Sequence, residues 1–195
     1  MTTAKELDPK IAAERFYELL WPHRADVLRV ARILCGNDAE ADDLVQETLL
    51  KAYNAIGSFK PGTDARAWLL RILRNARIDR ARSEKRQAHN VSLEASDLDL
   101  PDPQTPQIID DAEAWQNPAA VLDAFSDQQI IDALQDLPEE IRLTLLLVDV
   151  QQLDHREAAA ILDVPVGTIK SRTHRGRAML RQALLPRARE LRLVK

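Results

Sequence analysis

Between Leu153 and Arg177 the chain holds a short segment, a tight turn and a second segment loaded with cations, and few folds accommodate that arrangement. The first segment carries a helix start signal. Asp154 stands where a cap belongs, Glu157 three residues on completes a capping box, and Leu153 is available as the apolar staple. Ala158, Ala159, Ile161 and Leu162 then give a small apolar packing face. Asp163-Val164-Pro165 ends this helix, and Pro165 is tolerated in the first turn of the next. In that next helix Ile169, Thr173, Gly176 and Leu180 recur at spacings of four, three and four, which predicts one inward stripe. Lys170, Ser171, His174, Arg175, Arg177 and Arg181 are left for the outer face. A small helix backing a basic one is the layout of a helix-turn-helix, whose second helix enters the DNA major groove. Arg and Lys there reach guanine edges or phosphates, and Ser171 or His174 adds hydrogen bonds.

Composition narrows the rest. Only 5 Gly and 4% aromatics in 195 residues, with abundant Ala, Leu, Arg and Asp, predict an all-helical protein of one or two small domains. No apolar run approaches the length of a membrane span and the first residues are no secretion signal, so a cytoplasmic protein is expected. Cys35 is the lone cysteine, which excludes an intramolecular disulfide and a cysteine-based metal site. Its apolar neighbours predict a buried thiol.

The net charge of −4 conceals segregation. Residues 15–86 carry 14 Lys/Arg against 10 Asp/Glu, whereas residues 87–127 carry no Lys or Arg and 9 Asp/Glu. Positive charge is concentrated at 66–86, with 8 cations to 2 anions, and at 164–195, with 9 to 1. Two basic helices separated by an acidic tether predict two nucleic-acid contacts from one chain.

Along the chain, Asp8-Pro9 predicts the start of a helix running to about Cys35, interrupted at Trp21-Pro22. Gly36 is expected to cap it, and Asn37 or Asp38 to start a helix over about 39–55 with an acidic first turn. Thr63 or Asp64 caps a third helix to about Glu84 that buries Trp68, Leu69, Ile72, Leu73 and Ala76 and carries Arg71, Arg74, Arg77, Arg80 and Arg82 on much of the remaining surface. Periodicity fades from Gln87 to Ala124, where prolines and acids predict an extended linker. Ser126 or Asp127 then opens a helix, and Pro138 another, ahead of the helix-turn-helix.

These elements in this order resemble the extracytoplasmic-function sigma factors of the bacterial sigma-70 family. Three segments carry the resemblance: Asp38 to Tyr53, Phe59 to Arg86, and Leu137-Pro-Glu-Glu onward through Gly167-Thr-Ile-Lys-Ser-Arg172. The resemblance implies an all-α fold of two small helical domains joined by an acidic flexible linker. Residues 10–86 would bind core RNA polymerase and the minus-ten element, 87–125 would form the linker, and 126–190 would read the minus-thirty-five element. It implies that Asp42, Asp43, Leu44, Gln46 and Glu47 contact the polymerase clamp. Lys60, Thr63, Asp64, Arg71, Arg74, Asn75, Asp79 and Arg80 would serve the minus-ten element, with the loop at 60–65 walling a pocket for a flipped base. Asn75 and Asp79, one helical turn apart, would face bases, and Asp79, an acceptor only, would favour an amino group such as cytosine's. Lys170, Ser171, Arg172, His174, Arg175 and Arg177 would serve the minus-thirty-five element.

By the same resemblance the partners are the beta-prime clamp and beta flap of core polymerase, promoter DNA and an anti-sigma factor. No cofactor, metal or catalytic residue is implied, and the protein is expected to be no enzyme and a monomer when free. Thr173 departs from the family pattern, which has a larger apolar residue there, so looser packing of that helix is expected. The acidic linker suits a polymerase channel that otherwise holds nucleic acid. With Lys195 following soon after the DNA-reading helix, no added C-terminal regulatory domain is expected. Two other classes compete: a stand-alone helix-turn-helix regulator binding duplex DNA as a dimer, for which no heptad seam is present, and a metal-dependent enzyme using the acids at 38–47, which lack a nearby His or a Gly-rich phosphate loop.

Overall fold

The computed structural model describes residues 8–60, 62–91 and 127–190. The acidic tether beyond Val91 and its expected anchors, Ile108, Ile109 and Trp115, lie outside the described residues. Those described form helices, and none is a strand. Helix α1 (Pro9–Arg15) opens on Asp8, whose side chain accepts from the Lys10 amide, and Pro9 fills the first turn where a missing amide costs nothing. The helix then widens into a π turn (Phe16–Leu20), tightens into a 3₁₀ turn (Trp21–His23) and resumes as α2 (Arg24–Leu34). The interruption at Pro22 is as expected, because proline has no amide to continue the ladder. The capping role expected of Gly36 is not realised. Cys35 ends α2 in extended conformation, and Gly62 is the positive-φ glycine among the described residues. Asn37 caps α3 (Asp38–Asn54) by accepting from the Glu40 amide.

Asp64 caps α4 (Ala65–Val91), accepting from the amides of Arg66 and Ala67. This helix runs seven residues past the expected end at Glu84, into the segment read as linker. Between Asp64 and Pro101 no Gly or Pro breaks it. Leu69, Leu70, Leu73 and Ala76 are buried on α4, while Trp68 and Ile72 are only half-buried. Helices α2, α3 and α4 pack together, and Arg15 ties α1 to the loop before α4 by donating to the Phe59 carbonyl at 3.0 Å.

The second unit comprises α5 (Asp127–Gln135), α6 (Glu139–Leu145) with a π turn (Leu146–Val150), α7 (His155–Leu162) and α8 (Val166–Glu190). The capping box forms as read from the sequence: Asp154 accepts from the Glu157 amide at 2.8 Å, and Glu157 accepts from the Asp154 amide at 2.8 Å. Asp163 turns the chain at φ 55°, and α8 starts one residue after Pro165. The predicted stripe is inward: Ile169, Thr173 and Gly176 are buried and Leu180 is half-buried. A continuous apolar cluster joins both units, running from Leu20, Val27 and Val30 to Leu134, Ile141 and Ile169.

Candidate nucleic-acid interface

The long basic helix of each unit supplies a candidate surface. On α8, Lys170, Ser171, His174 and Arg177 are exposed and Arg175 is half-buried. The Ser171 hydroxyl donates to the Thr168 carbonyl one turn back, which leaves its oxygen free to accept. Two of the cations are engaged within the protein. Arg177 grips Asp149 through Nε at 3.2 Å and Nη2 at 2.6 Å, and Arg172 pairs with Glu140 of α6. Hydrogen bonding to Asp149 pushes the Arg177 guanidinium further above its ordinary value. Lys170 and His174 are exposed on α8, while Arg172 is turned along α6 packed behind it. Thr173 is 3% exposed and its hydroxyl has no partner, the cost of a polar group in the apolar stripe.

The first unit presents Lys60, Thr63, Asp64, Arg71, Asn75 and Asp79 exposed, with Arg74 and Arg80 half-buried. Thr63 donates to the Lys60 carbonyl at 2.7 Å, and Asp64 is occupied as the α4 cap. Both therefore shape the loop ahead of α4. Arg74 bonds the Asn75 side chain at 3.1 Å and so orients its amide. Phe59 and Trp68 pack edge to face, centroids 5.2 Å apart, behind this loop.

On α3, Asp42, Asp43 and Gln46 are exposed as expected of a partner-facing edge. Leu44 corrects the expectation of a polymerase contact: it is 0% exposed and belongs to the core. Leu44, Val45 and Leu49 read as one apolar set in sequence, and the core takes Leu44. The apolar side chain that α3 does turn outward is Leu50, 62% exposed, which the sequence reading missed. Also missed was an outward apolar group along α1, its π turn and the 3₁₀ turn that follows, where Ile11, Tyr17 and Trp21 are exposed.

Glu47 is half-buried between α3 and α4. Its carboxylate takes Arg80 Nε at 2.6 Å and Lys51 Nζ at 2.9 Å, and Lys51 also reaches Asp79 at 3.1 Å. Burial alone would raise the Glu47 carboxyl, but hydrogen bonds from Lys51 and Arg80 outweigh it and hold it below the usual carboxylate range. The bond to Glu47 likewise pushes the Lys51 ammonium up. The sign follows for stability. A depressed carboxyl contributes above its unfolded value and loses that contribution as pH falls through the folded one. Glu47→Gln is therefore expected to cost about 1 kcal/mol or less at neutral pH and to flatten the acid limb below roughly pH 4.3, checked by urea unfolding across pH. An acid limb identical to that of the parent protein would contradict this.

Among the described residues no group of three or more His, Cys, Asp or Glu could hold a metal ion, and no helix is long and apolar enough to cross a membrane. Cys35 is buried, and burial pushes its thiol up, as expected for an inert side chain.

A family model for sigma-70 region 2 matches residues 20–87, and one for sigma-70 region 4 matches residues 127–180. The chain belongs to the extracytoplasmic-function sigma factors of the sigma-70 family. Such sigma factors are transcription initiation factors of RNA polymerase. The sigma factor is 34% identical over 174 residues to SigE of Mycolicibacterium smegmatis, spanning 89% of this chain and 63% of that relative. It is 36% identical over 148 residues to EcfG of Rhodopseudomonas palustris, covering 75% of this chain and 72% of the other. Against SigW of Bacillus subtilis the identity is 30% over 171 residues, covering 88% and 89%. The fold of the sigma factor is similar to that of RpoE from Bartonella quintana, solved in complex with the anti-sigma factor NepR. The TM-score is 0.66, with 28% identity and 87% and 96% of the two chains covered. It is also similar to CnrH, solved with the cytosolic domain of CnrY, at a TM-score of 0.58 with 25% identity and 92% and 97% covered. The two matched regions leave between them residues 88–126, nearly the whole acidic tether.

Proposed function

We propose that this sigma factor works in the cytoplasm by directing core RNA polymerase to a set of promoters and assisting their opening, and that an anti-sigma factor holds it inactive. The observation that supports this best is the pairing of two separated basic helices with an acidic helix edge. α8 carries Lys170, Ser171, His174 and Arg175 toward one DNA element, α4 carries Arg71, Asn75 and Asp79 toward another, and α3 carries Asp42, Asp43 and Gln46 toward the polymerase clamp. Domain limits of about 10–86 and 126–190 go with this division.

The roles follow from chemistry. Opening a promoter leaves an unstacked strand, which needs cations along its backbone and a cavity for an extruded base. Arg71 suits the backbone, where contacts position without specifying, while the Asn75 amide offers both donors and acceptors to a base edge. In the upstream element the duplex stays closed, so a helix in the major groove reads it. The second domain would meet the beta flap, and binding energy spent on these contacts offsets the cost of separating strands. The protein itself catalyses no step in this reading. A stand-alone duplex-binding regulator would leave the acidic edge of α3 and the polar face of α4 without a role.

The test is a charge reversal on α3. Asp42→Lys with Asp43→Lys is expected to weaken binding to core polymerase about a hundredfold, since like charge placed against a basic partner costs several kcal/mol. Fluorescence-detected titration with core polymerase reads it. Undiminished affinity with the fold intact would remove α3 from the polymerase contact.

A further inference from the structure

Each of the two polar side chains on α4 that suit a base edge has one oxygen already taken by a cation of the protein. The Asn75 side-chain oxygen accepts from Arg74 Nη1 at 3.1 Å, which leaves the Asn75 amino group as the free donor. Asp79 stands one turn further along, its side chain 59% exposed. Its Oδ2 is held at 3.1 Å by the ammonium of Lys51, which reaches across from α3. Lys51 is itself fixed. Glu47, one turn back on α3, takes the same ammonium at 2.9 Å through Oε1, and Arg80 pins the other Glu47 oxygen at 2.6 Å. A lysine on its flexible stem is ordinarily a loose point charge. Here acids on two packed helices hold it from both sides. Neither the polymerase-facing edge of α3 nor the strand-facing set on α4 includes Lys51, yet it joins the two.

We propose that Lys51 is a positioning residue that sets base preference: by holding Oδ2 of Asp79, it leaves Oδ1 as a single fixed acceptor for one base amino group on the opened strand. The proposal rests on the reading of Asp79 as a base-facing group. An unheld aspartate turns about its terminal bond and offers either oxygen. Its charge also repels the phosphates that flank any base it reads. One ammonium answers both difficulties. It fixes the plane of the carboxylate and offsets its charge without touching the base. The hydrogen bond to Glu47 pushes the Lys51 ammonium up, so it stays charged at neutral pH. With Asn75 offering a donor and Asp79 an acceptor one turn on, α4 asks for an acceptor on one base and an amino group on another. Cytosine carries an amino group where thymine carries a carbonyl, so these two bases form the discriminating pair. Exposed ion pairs of this kind contribute little to stability, which separates the role from a purely structural one.

The experiment is transcription by core polymerase and the full-length protein from a promoter library randomised across the minus-ten element, with base preference at each position read by sequencing the transcripts. Preference is a ratio within one preparation, so a variant that folds less well or binds polymerase more weakly still reports it. The parent protein is expected to favour cytosine over thymine about tenfold at one position, and Asp79→Ala to abolish that preference. Lys51→Met keeps the stem and removes the cation. It is expected to reduce the same preference to about twofold while every other position stays as in the parent. Lys51→Arg, which keeps the charge, is expected to retain most of it. The parent's preference persisting in Lys51→Met would overturn the role of Lys51, and so would a lower yield spread evenly over all sequences. The Asp79→Ala variant separates the two failures. A flattened position there beside an unchanged one in Lys51→Met removes Lys51 alone, whereas parent-like preferences at every position in Asp79→Ala remove the reading of Asp79 and the inference with it.

Discussion

Replacing Gly176 by Val is expected to unfold the second domain while leaving the first able to engage polymerase. Gly176 sits on the inward stripe of α8 where that helix crosses α6. A Cβ at this position would stand 2.6 Å from Ile141 Cγ2 and 3.0 Å from Leu145 Cδ1 and Cγ. The Ile141 methyl is attached directly to its own Cβ, so moving it means leaving the χ1 rotamer a β-branched residue strongly prefers in a helix, or shifting α6. Alanine gains about 1 kcal/mol of helix propensity over glycine, but overpacking costs roughly 1–3 kcal/mol, so Gly176→Ala should be mildly destabilising. Valine adds two more methyls to the same crowded crossing and should cost about 3 kcal/mol or more, a large share of a small domain's stability. Thermal or urea unfolding checks both. Adding Ile141→Ala to Gly176→Ala should recover part of the loss, because removing the obstructing methyl leaves room for the new one. Additive losses would show that the clash is not the cause.

The second large effect separates Lys170 and Arg175 of α8 from the cations already engaged by acids of the protein. Lys170→Ala with Arg175→Ala is expected to reduce transcription from a promoter with an upstream element by about a hundredfold. A base-edge contact is worth roughly 1–3 kcal/mol, and each lost phosphate contact lowers the log–log salt slope by about 0.9. Arg172→Ala and Arg177→Ala should behave differently. Their guanidinium groups are held by Glu140 and Asp149, so the expected result is a loss of about 1 kcal/mol or less in stability with a smaller change in DNA binding. Initiation from promoters of varied upstream sequence, measured over a salt series, distinguishes them. Equal losses for all four positions would mean that the internal pairs dissolve on DNA.

Much of this was legible in the chain because it is local. The capping box at Asp154 and Glu157, the stripe at Ile169, Thr173 and Gly176, and the break at Pro22 each depend on residues within one or two helical turns. What was not legible depends on partners far away. Arg74 and Leu162 are 88 residues apart, and Arg172 meets Glu140 across 32. No periodicity announces which cation on a basic helix finds an acid on its neighbour. The π turns at Phe16–Leu20 and Leu146–Val150 read simply as helix, since five residues do not distinguish a slightly wider turn. Leu44 lies inside and Leu50 outside because burial on α3 is decided by what α2 and α4 place against each position, which the sequence of α3 alone does not state.

The most direct test of the account is run-off transcription from a genomic promoter pool by core polymerase, with and without this protein. The account predicts discrete new transcripts whose upstream sequences share two motifs, and their loss with Asp42→Lys/Asp43→Lys. Absence of new transcripts, together with tight binding of the protein to duplex DNA without polymerase, would contradict it and favour a stand-alone regulator.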